Sequence, residues 1–324
     1  MKLIACESGL ELGTQISKLL NVPLASYQTR HFANTETNPD LLESVRGHDV
    51  FIIGTGYTIG KYPIDTAVME MYLLACTCRD SDAKSITLVV PHFPYARQDK
   101  KSRPHEPISA RYVCDMFQLA SVSRIIAVEL HSSSVQGFFR GPFDNLYGSI
   151  VVKPFIEDLL FKDNAGYKQQ YVAVAPDAGG YNRTSKYAEK LGLEFISIQK
   201  KRNPEVINKV TSVIHGTVDI NGKTCIIFDD ICDTGGTIIA AVEQLCLHGA
   251  KDVIVVVTHG LFSNQCFDLL NANSCISQFI CSDSVPQSER LAKSSKMKVF
   301  SIAPLLAEVI GRTLEGRSNS DLFV

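Results

Sequence analysis

The densest chemistry in the chain lies in Cys225-Ile226-Ile227-Phe228-Asp229-Asp230-Ile231-Cys232-Asp233-Thr234-Gly235-Gly236-Thr237. An apolar strand runs into three carboxylates, then into a hydroxyl-Gly-Gly-hydroxyl turn, then into a helix. Gly235 and Gly236 permit torsions and close approach that a Cβ forbids. Thr234 and Thr237 add hydroxyl donors, and the helix start offers unpaired N–H groups at the positive end of its dipole. These parts make a cradle for a phosphate monoester. Asp229 and Asp230, expected at the carboxyl end of the strand, stand where parallel α/β sheets hold ligands. There they could accept hydrogen bonds from ribose hydroxyls or hold a metal's water shell. An ordinary glycine turn with Asp and Thr helix caps is the bland alternative, but three carboxylates exceed what a cap needs. The G-x-x-x-x-G-K-[ST] pattern of a Walker A loop is absent.

A second cluster, Val90-Pro91-His92-Phe93-Pro94-Tyr95-Ala96-Arg97-Gln98-Asp99-Lys100-Lys101-Ser102-Arg103, follows an apolar strand. Arg97 can fork onto phosphate oxygens or stack on a purine, and Gln98 can reach a base or a phosphate. Lys100 to Arg103 alone would read as a solvated basic loop. A third cluster, Ile198-Gln199-Lys200-Lys201-Arg202-Asn203, is also basic and lies just beyond a strand. His131 and Asp177 each follow a strand; alone they would read as a structural histidine and a turn residue.

The first cluster resembles the phosphoribosyl-diphosphate loop shared by type I phosphoribosyltransferases and ribose-phosphate pyrophosphokinases. Phe93 to Asp99 separates the two, because it resembles the pyrophosphokinase ATP loop P-Y-A-R-Q-D, for which a simple phosphoribosyltransferase has no use. The likeness to ribose-phosphate pyrophosphokinases continues through Phe32-Ala33-Asn34-Thr35-Glu36 (F-S-[DN]-x-E) and Glu43-Ser44-Val45-Arg46-Gly47 (E-S-V-R-G). It extends to Glu129-Leu130-His131 and Gln136-Gly137-Phe138-Phe139 (D-L-H and Q-G-F-F) and to Pro176-Asp177-Ala178-Gly179-Gly180 (P-D-A-G-G). His259 to Ser263, Ser284 to Gln287 and the segment from Ala303 to Phe323 also fall in the family's order.

The resemblance implies ATP contacts at Phe32, Asn34, Thr35, Glu36, Arg97, Gln98 and Asp99, the adenine loop reaching a neighbouring subunit's site. It implies ribose-5-phosphate contacts at Arg202, Asp229, Asp230, Asp233, Thr234, Gly235, Gly236 and Thr237. Lys200 and Arg202 align with the K-x-R of a mobile catalytic loop, cations that would stabilise charge building on a transferring phosphoryl group. His131 and Asp177 match the Mg²⁺ positions; Asp177 suits a hard cation that keeps mostly water and phosphate oxygens, whereas a histidine is an unusual ligand for it. Ser44, Arg46, Ser133, Gln136, Asp144 and Asn145 match parts of a regulatory phosphate/ADP site, leaving phosphate activation and ADP inhibition open.

Departures are local. Gly54 to Asp65 replaces the family's N-D-N stretch before a helix with a longer loop; Glu129 replaces the Asp of D-L-H; Arg140 stands where an acid is usual; and Pro104-His105-Glu106 alters the end of the ATP loop.

To position these residues the chain alternates β-branched runs (50–53, 86–90, 124–128, 171–175, 224–228, 253–258) with amphipathic stretches (66–78, 109–120, 180–191, 237–248). That order predicts α/β architecture with parallel sheets. The family resemblance sharpens it to two tandem type I phosphoribosyltransferase-like domains, each with a mainly parallel central sheet flanked by helices, and an active site between them. Residues 1–147 form the ATP-binding domain, with the 310–324 tail packing back on it, and 148–309 form the ribose-5-phosphate domain. At 45% apolar and 20% charged, the 324 residues suit a globular enzyme, and a net charge of −2 argues against nucleic-acid binding by bulk charge. No apolar run reaches the ~20 residues a membrane span needs. Residues 1–6 read as a first strand, and the ten cysteines show no pairing framework, which fits a reducing cytoplasm.

The expected activity is diphosphate transfer from MgATP to ribose 5-phosphate in a homo-oligomer built from dimers, with a hexamer as the larger alternative. Two rivals stand beside it. A phosphoribosyltransferase would keep the 229–237 loop without the ATP loop. A non-catalytic scaffold subunit would tolerate loss of Lys200, Arg202 or the Thr-Gly-Gly-Thr turn.

Overall fold

Burying apolar strands on both faces requires helices above and below each sheet. The chain does this twice. The computed structural model describes residues 1–162, 166–202 and 210–323, with backbone alone at 200–202, 210–212 and 323. It divides into unit 1 (1–148, 283–286 and 301–324) and unit 2 (149–282 and 287–300).

Unit 1 opens with β1 (Lys2–Ala5), α1 (Leu10–Leu20), β2 (Tyr27–His31) and β3 (Thr37–Leu41). It continues through β4 (Asp49–Ile53), α2 (Ile64–Asp80), β5 (Ser85–Val89), α3 (Ser109–Leu119), β6 (Arg124–Val128) and β7 (Phe143–Leu146). The central sheet is parallel with order β1-β4-β5-β6-β7, while β2 and β3 form a separate antiparallel hairpin. Ile4, Ile52, Leu88, Ile125 and Phe117 are among the side chains filling this core.

Unit 2 contains α4 (Ser149–Ile156), α5 (Tyr167–Gln170), β8 (Tyr171–Ala175), α6 (Tyr181–Leu191), β9 (Glu194–Arg202) and β10 (Val210–His215). After them come β11 (Thr224–Cys232), α7 (Gly236–Leu247), β12 (Asp252–Gly260), α8 (Cys266–Ala272), β13 (Ile276–Ser282), α9 (Ser288–Leu291) and β14 (Met297–Phe300). The sheet order is β10-β9-β8-β11-β12-β13-β14, parallel except where β10 folds back on β9.

The chain leaves unit 2 for good at Ser301, just ahead of α10 (Ala303–Glu315), which starts with a proline in its first turn and stops at left-handed Gly316. The division expected at 309/310 therefore falls inside α10, a helix that packs against α1. A half-buried carboxylate secures the return: Asp283 accepts the Ile302 N–H (2.9 Å), the Ser301 hydroxyl (2.6 Å) and the Gln15 amide (3.2 Å). Thr55 adds a hydroxyl bond to the Ser284 carbonyl at 2.8 Å.

The hairpin is fixed to α2 by one acid. Glu70 is fully buried, and its Oε1 accepts the Tyr27 hydroxyl (3.0 Å), the Thr29 hydroxyl (2.7 Å) and the Glu7 N–H (3.3 Å). Among the described residues its Oε2 has no partner, and burial pushes its carboxyl above the usual range despite those donors. A carboxyl raised in the folded state holds its proton more tightly there than in the unfolded chain. Its contribution to stability is thus complete below the unfolded value of about 4.3 and is lost as pH rises through the folded value. Glu70→Gln, which cannot ionise, should flatten the decline in melting temperature from pH 4 to 9. Superimposable curves for the two proteins would contradict it.

Candidate active site

β11 gives unit 2 its candidate site through a mismatch in strand length. β8 pairs with β11 only as far as Val174↔Ile227, whereas β12 follows β11 to Cys232↔Gly260. Beyond Ile227, β11 is covered on one side and lacks a strand on the other. Asp229 and Asp230 lie in that overhang, near the carboxyl end of the strand as expected, and the strand runs on to Cys232, four residues past the Thr224–Phe228 run read from sequence. The extra pairing with β12 is the reason.

Arg183 of α6 pairs with both. Its Nη1 lies 3.1 Å from Asp229 Oδ1 and 3.0 Å from Asp230 Oδ1, with side-chain exposures of 15%, 14% and 4% for the three groups. Asp229 Oδ1 also accepts the Asp230 N–H at 2.9 Å. Burial, and next the neighbouring Asp230 charge, push Asp229 well above the usual carboxylate range against the pull of Arg183. Sequence reasoning missed Arg183, whose only signal was a cation in the first turn of a helix that follows a glycine pair.

The turn itself has the geometry a phosphate cradle needs. Gly235 is left-handed (φ 77°), and a Cβ there would stand 2.7 Å from Cys266 Sγ. A Cβ on Gly236 would meet nothing within 4 Å, so the approach to the first turn of α7 is open. Thr234 is exposed, and Asp233 and Thr237 are half-buried at the lip. His259 to Ser263 supports the turn from below: the Leu261 and Phe262 N–H groups donate to the Cys232 carbonyl (2.9 and 3.0 Å), and Ser263 N–H donates to that of Asp233 (2.9 Å). Gln287 and Arg290 hold this floor through the carbonyls of Gly260 (2.7 Å) and Leu261 (3.1 Å). They too went unassigned from sequence, because their work is done through backbone carbonyls.

Asp177 follows β8, its Oδ1 accepting the Gly180 N–H at 3.0 Å. Lys200 and Arg202 occupy the end of β9; their side chains, and Asn203 altogether, lie outside the described residues.

Unit 1 holds the remaining candidates. Phe32 to Glu36 caps the β2–β3 hairpin, with left-handed Thr35 (φ 72°), a Phe32 N–H to Glu36 carbonyl bond (2.9 Å) and Asn34 Oδ1 accepting the Glu36 N–H (3.2 Å). The five side chains are exposed, Phe32 by 51%. Tyr95 to Gln98 forms a turn closed by Gln98 N–H to the Tyr95 carbonyl (2.8 Å). Arg97 and Gln98 are exposed, Asp99 is half-buried, and Gln98 Oε1 is fixed by the Ser109 hydroxyl at 2.6 Å. Glu106, part of the departure at the end of this loop, accepts the N–H groups of Ser102 (3.0 Å) and Arg103 (2.9 Å) and folds the basic stretch back.

His131 is exposed beyond β6. The preceding Glu129, left-handed at φ 46°, uses its extra methylene to reach the Gly148 N–H (2.6 Å). The six regulatory candidates are scattered within one chain. Ser44 and Arg46 precede β4 at the amino end of the sheet, and Ser133 and Gln136 leave β6 at its carboxyl end. Asp144 and Asn145 lie within β7, tied to Arg124 and to the Leu130 N–H (3.0 Å).

Among the described residues no three His, Cys, Asp or Glu side chains gather into a metal cluster. The donor chemistry of Asp177 fits a Mg²⁺ that takes most of its ligands from water and phosphate. All ten cysteines are free thiols, and no described helix is long and apolar enough to cross a membrane.

These two parallel-sheet units are phosphoribosyltransferase-like α/β domains, and comparison with known proteins resolves which enzymes carry them in tandem. Residues 1–121 match the N-terminal domain of ribose phosphate pyrophosphokinase, and 195–324 match the phosphoribosyl synthetase-associated domain. Ribose-phosphate pyrophosphokinase 4 of Saccharomyces cerevisiae is 40% identical across 100% of this chain and 94% of its own. The Wolinella succinogenes ribose-phosphate pyrophosphokinase is 37% identical across 97% and 96%. The crystal structure of phosphoribosylpyrophosphate synthetase from Mycobacterium smegmatis superposes with a TM-score of 0.87 at 36% identity, covering 97% of this chain and 99% of that one. The chain belongs to the ribose-phosphate pyrophosphokinase family, enzymes that transfer a diphosphate group.

Removing Arg183 would leave two buried carboxylates facing each other, and breaking such a pairing costs about 3 kcal/mol or more. Arg183→Leu should lower the melting temperature by roughly 6–12 °C, measured by calorimetry. An unchanged transition would show that the aspartates do not depend on it.

Proposed function

We propose that this chain transfers the β,γ-diphosphate of MgATP to the anomeric hydroxyl of D-ribose 5-phosphate, giving 5-phosphoribosyl diphosphate and AMP. The observation that carries the reading is the joint presence of two binding devices in one chain. Unit 2 has an open glycine turn leading into the first turn of α7, and unit 1 has the P-Y-A-R-Q-D turn that phosphoribosyltransferases lack.

The 5-phosphate binds the Asp233–Thr237 turn, its charge facing helix N–H groups and threonine hydroxyls. Asp229 and Asp230 orient the ribose hydroxyls with Arg183 behind them. Arg97, Gln98 and Asp99 hold ATP together with Phe32, Asn34, Thr35 and Glu36, this last loop serving a neighbouring subunit. The anomeric oxygen attacks the β-phosphorus in line, the α,β-bridging bond breaks with its electron pair going to AMP, and the hydroxyl proton is released. Lys200 and Arg202 stabilise charge on the transferring group without forming a covalent bond, and positioning supplies much of the remaining acceleration. Mg²⁺, held by Asp177 and His131 directly or through water, would neutralise the diphosphate. No residue is assigned as general base.

The enzyme acts in the cytoplasm, a reading supported by ten free cysteines, and as a homo-oligomer built from dimers; the hexamer remains the larger form to distinguish by light scattering. Phosphate activation and ADP inhibition would use Ser44, Arg46, Ser133, Gln136, Asp144 and Asn145 drawn from more than one copy. Purified protein with Mg²⁺, phosphate, ATP and ribose 5-phosphate should release AMP and phosphoribosyl diphosphate in equal amounts. Absence of AMP would favour a scaffold subunit. Lys200→Ala should cut kcat by about 10²-fold or more with little change in the ATP KM, and a near-normal rate would remove Lys200 from the mechanism.

A further inference from the structure

The segment from Gly54 to Asp65 departs most from the family's pattern, and its contacts give it a definite task. At its root it is locked into unit 1. Gly54 N–H donates to the Val89 carbonyl (3.0 Å), and Thr55 N–H donates to the Ser8 hydroxyl (3.1 Å). Gly56 and His92 then bind each other twice: Gly56 N–H meets the His92 carbonyl at 2.8 Å, and His92 Nδ1 lies 2.7 Å from the Gly56 carbonyl. Any side chain at Gly56 would drive a Cβ to 2.8 Å from the Pro94 backbone, so two main chains touch here directly. Further on, Ile59 and Tyr62 close a small turn through reciprocal bonds of 3.1 and 2.8 Å, with Gly60 left-handed between them (φ 54°).

The far end of the segment makes two side-chain contacts in different directions. Tyr62 stacks on the imidazole of His31, with ring centroids 4.0 Å apart and an interplanar angle of 25°. His31 is the last residue of β2, directly before Phe32, and its Nε2 is held by Glu7 Oε2 at 2.8 Å. Asp65 accepts the hydroxyl of Tyr95, the residue that opens the turn carrying Arg97 and Gln98. Tyr95 is itself left-handed (φ 59°), a conformation costing an aromatic residue about 1–3 kcal/mol unless its surroundings hold it. Asp65 and Tyr95 both line a cavity of about 370 Å³ with Val68, Met69, Tyr112 and Met116. The space beside them is open, and Asp65 supplies the hydrogen bond to the Tyr95 hydroxyl.

We propose that Gly54–Asp65 is a strut tying the adenine loop, which the function proposed above assigns to a neighbouring subunit's ATP, to the Arg97–Gln98 turn of the same chain, with Tyr62 and Asp65 as its positioning residues. The assignment of ATP to those two loops rests on the function proposed above; the mechanical coupling does not. Neither residue touches the reacting atoms. Each holds one loop to the segment, alongside the Glu70 and Gly56 anchors, so loss of either end loosens both.

The test uses the full-length enzyme and four single variants. Tyr62→Ala and Asp65→Ala should each raise the ATP KM about tenfold, with kcat within about twofold and the ribose-5-phosphate KM unchanged. Tyr62→Phe keeps the stack and Asp65→Asn keeps an acceptor, so both should stay within about twofold of wild type. Because one strut has two ends, the double alanine variant should match the worse single one; multiplied effects would mean two independent pins and would overturn the proposal. Hydrogen exchange supplies the arm that needs no turnover. Asp65→Ala should speed exchange at 32–36, and Tyr62→Ala at 95–98, while peptides from β4 and β5 stay protected and show the fold intact. Absence of these crossed effects sinks the strut whatever the substrate is. Crossed effects with an unmoved ATP KM would keep the coupling and refute its role in placing ATP. If the wild-type enzyme makes no AMP, the functional reading fails separately.

Discussion

Asp229 and Asp230 put two adjacent carboxylates where the sheet of unit 2 runs out of a partner on one side. Isolated there, two anions would be costly to bury. Arg183 reaches both from α6, so the acids beside the 233–237 turn share one cation. The turn's geometry follows. Left-handed Gly235 directs the chain into α7, Gly236 keeps the approach clear, and the His259–Ser263 segment carries the load through backbone bonds. The arginine stays within one unit of structure, so the acidic patch is preorganised before any ligand arrives.

Unit 1 solves the complementary problem with loops. Its ATP candidates sit on a hairpin tip and a turn, both exposed, which the parallel sheet does not itself position. Buried Glu70 fastens the hairpin to α2, and the backbone contact of Gly56 with Pro94 fastens the turn to the end of β4. Exposed loops built on such anchors can grip a large nucleotide while the sheet beneath them stays rigid.

The departures from the family pattern are absorbed where they occur. Glu129 spends its extra length on the Gly148 N–H, at the exit from unit 1. Glu106 caps two N–H groups of the basic stretch. In each case an acid is matched to backbone donors that would otherwise need water.

Much of the architecture was legible from residue order. β6 and β8 fall on the runs expected for them, and α2, α3, α6 and α7 lie within a residue or two of the amphipathic stretches, because period and helix-stop residues are local properties. The motifs were equally plain, since each is a short run of specific types. What pairs with what was not. The run Thr224–Phe228 gave no warning that β11 would continue through two aspartates, because its extension depends on β12, a partner more than twenty residues away in sequence. Arg183, Gln287 and Glu70 were invisible as functional parts for the same reason: each acts across a distance that only folding closes. The residue sequence determined which chemistry the chain carries and which strands bear it; tertiary structure alone decided how the acids are neutralised and how the loops are braced, since charge compensation and hydrogen bonding depend on proximity in space.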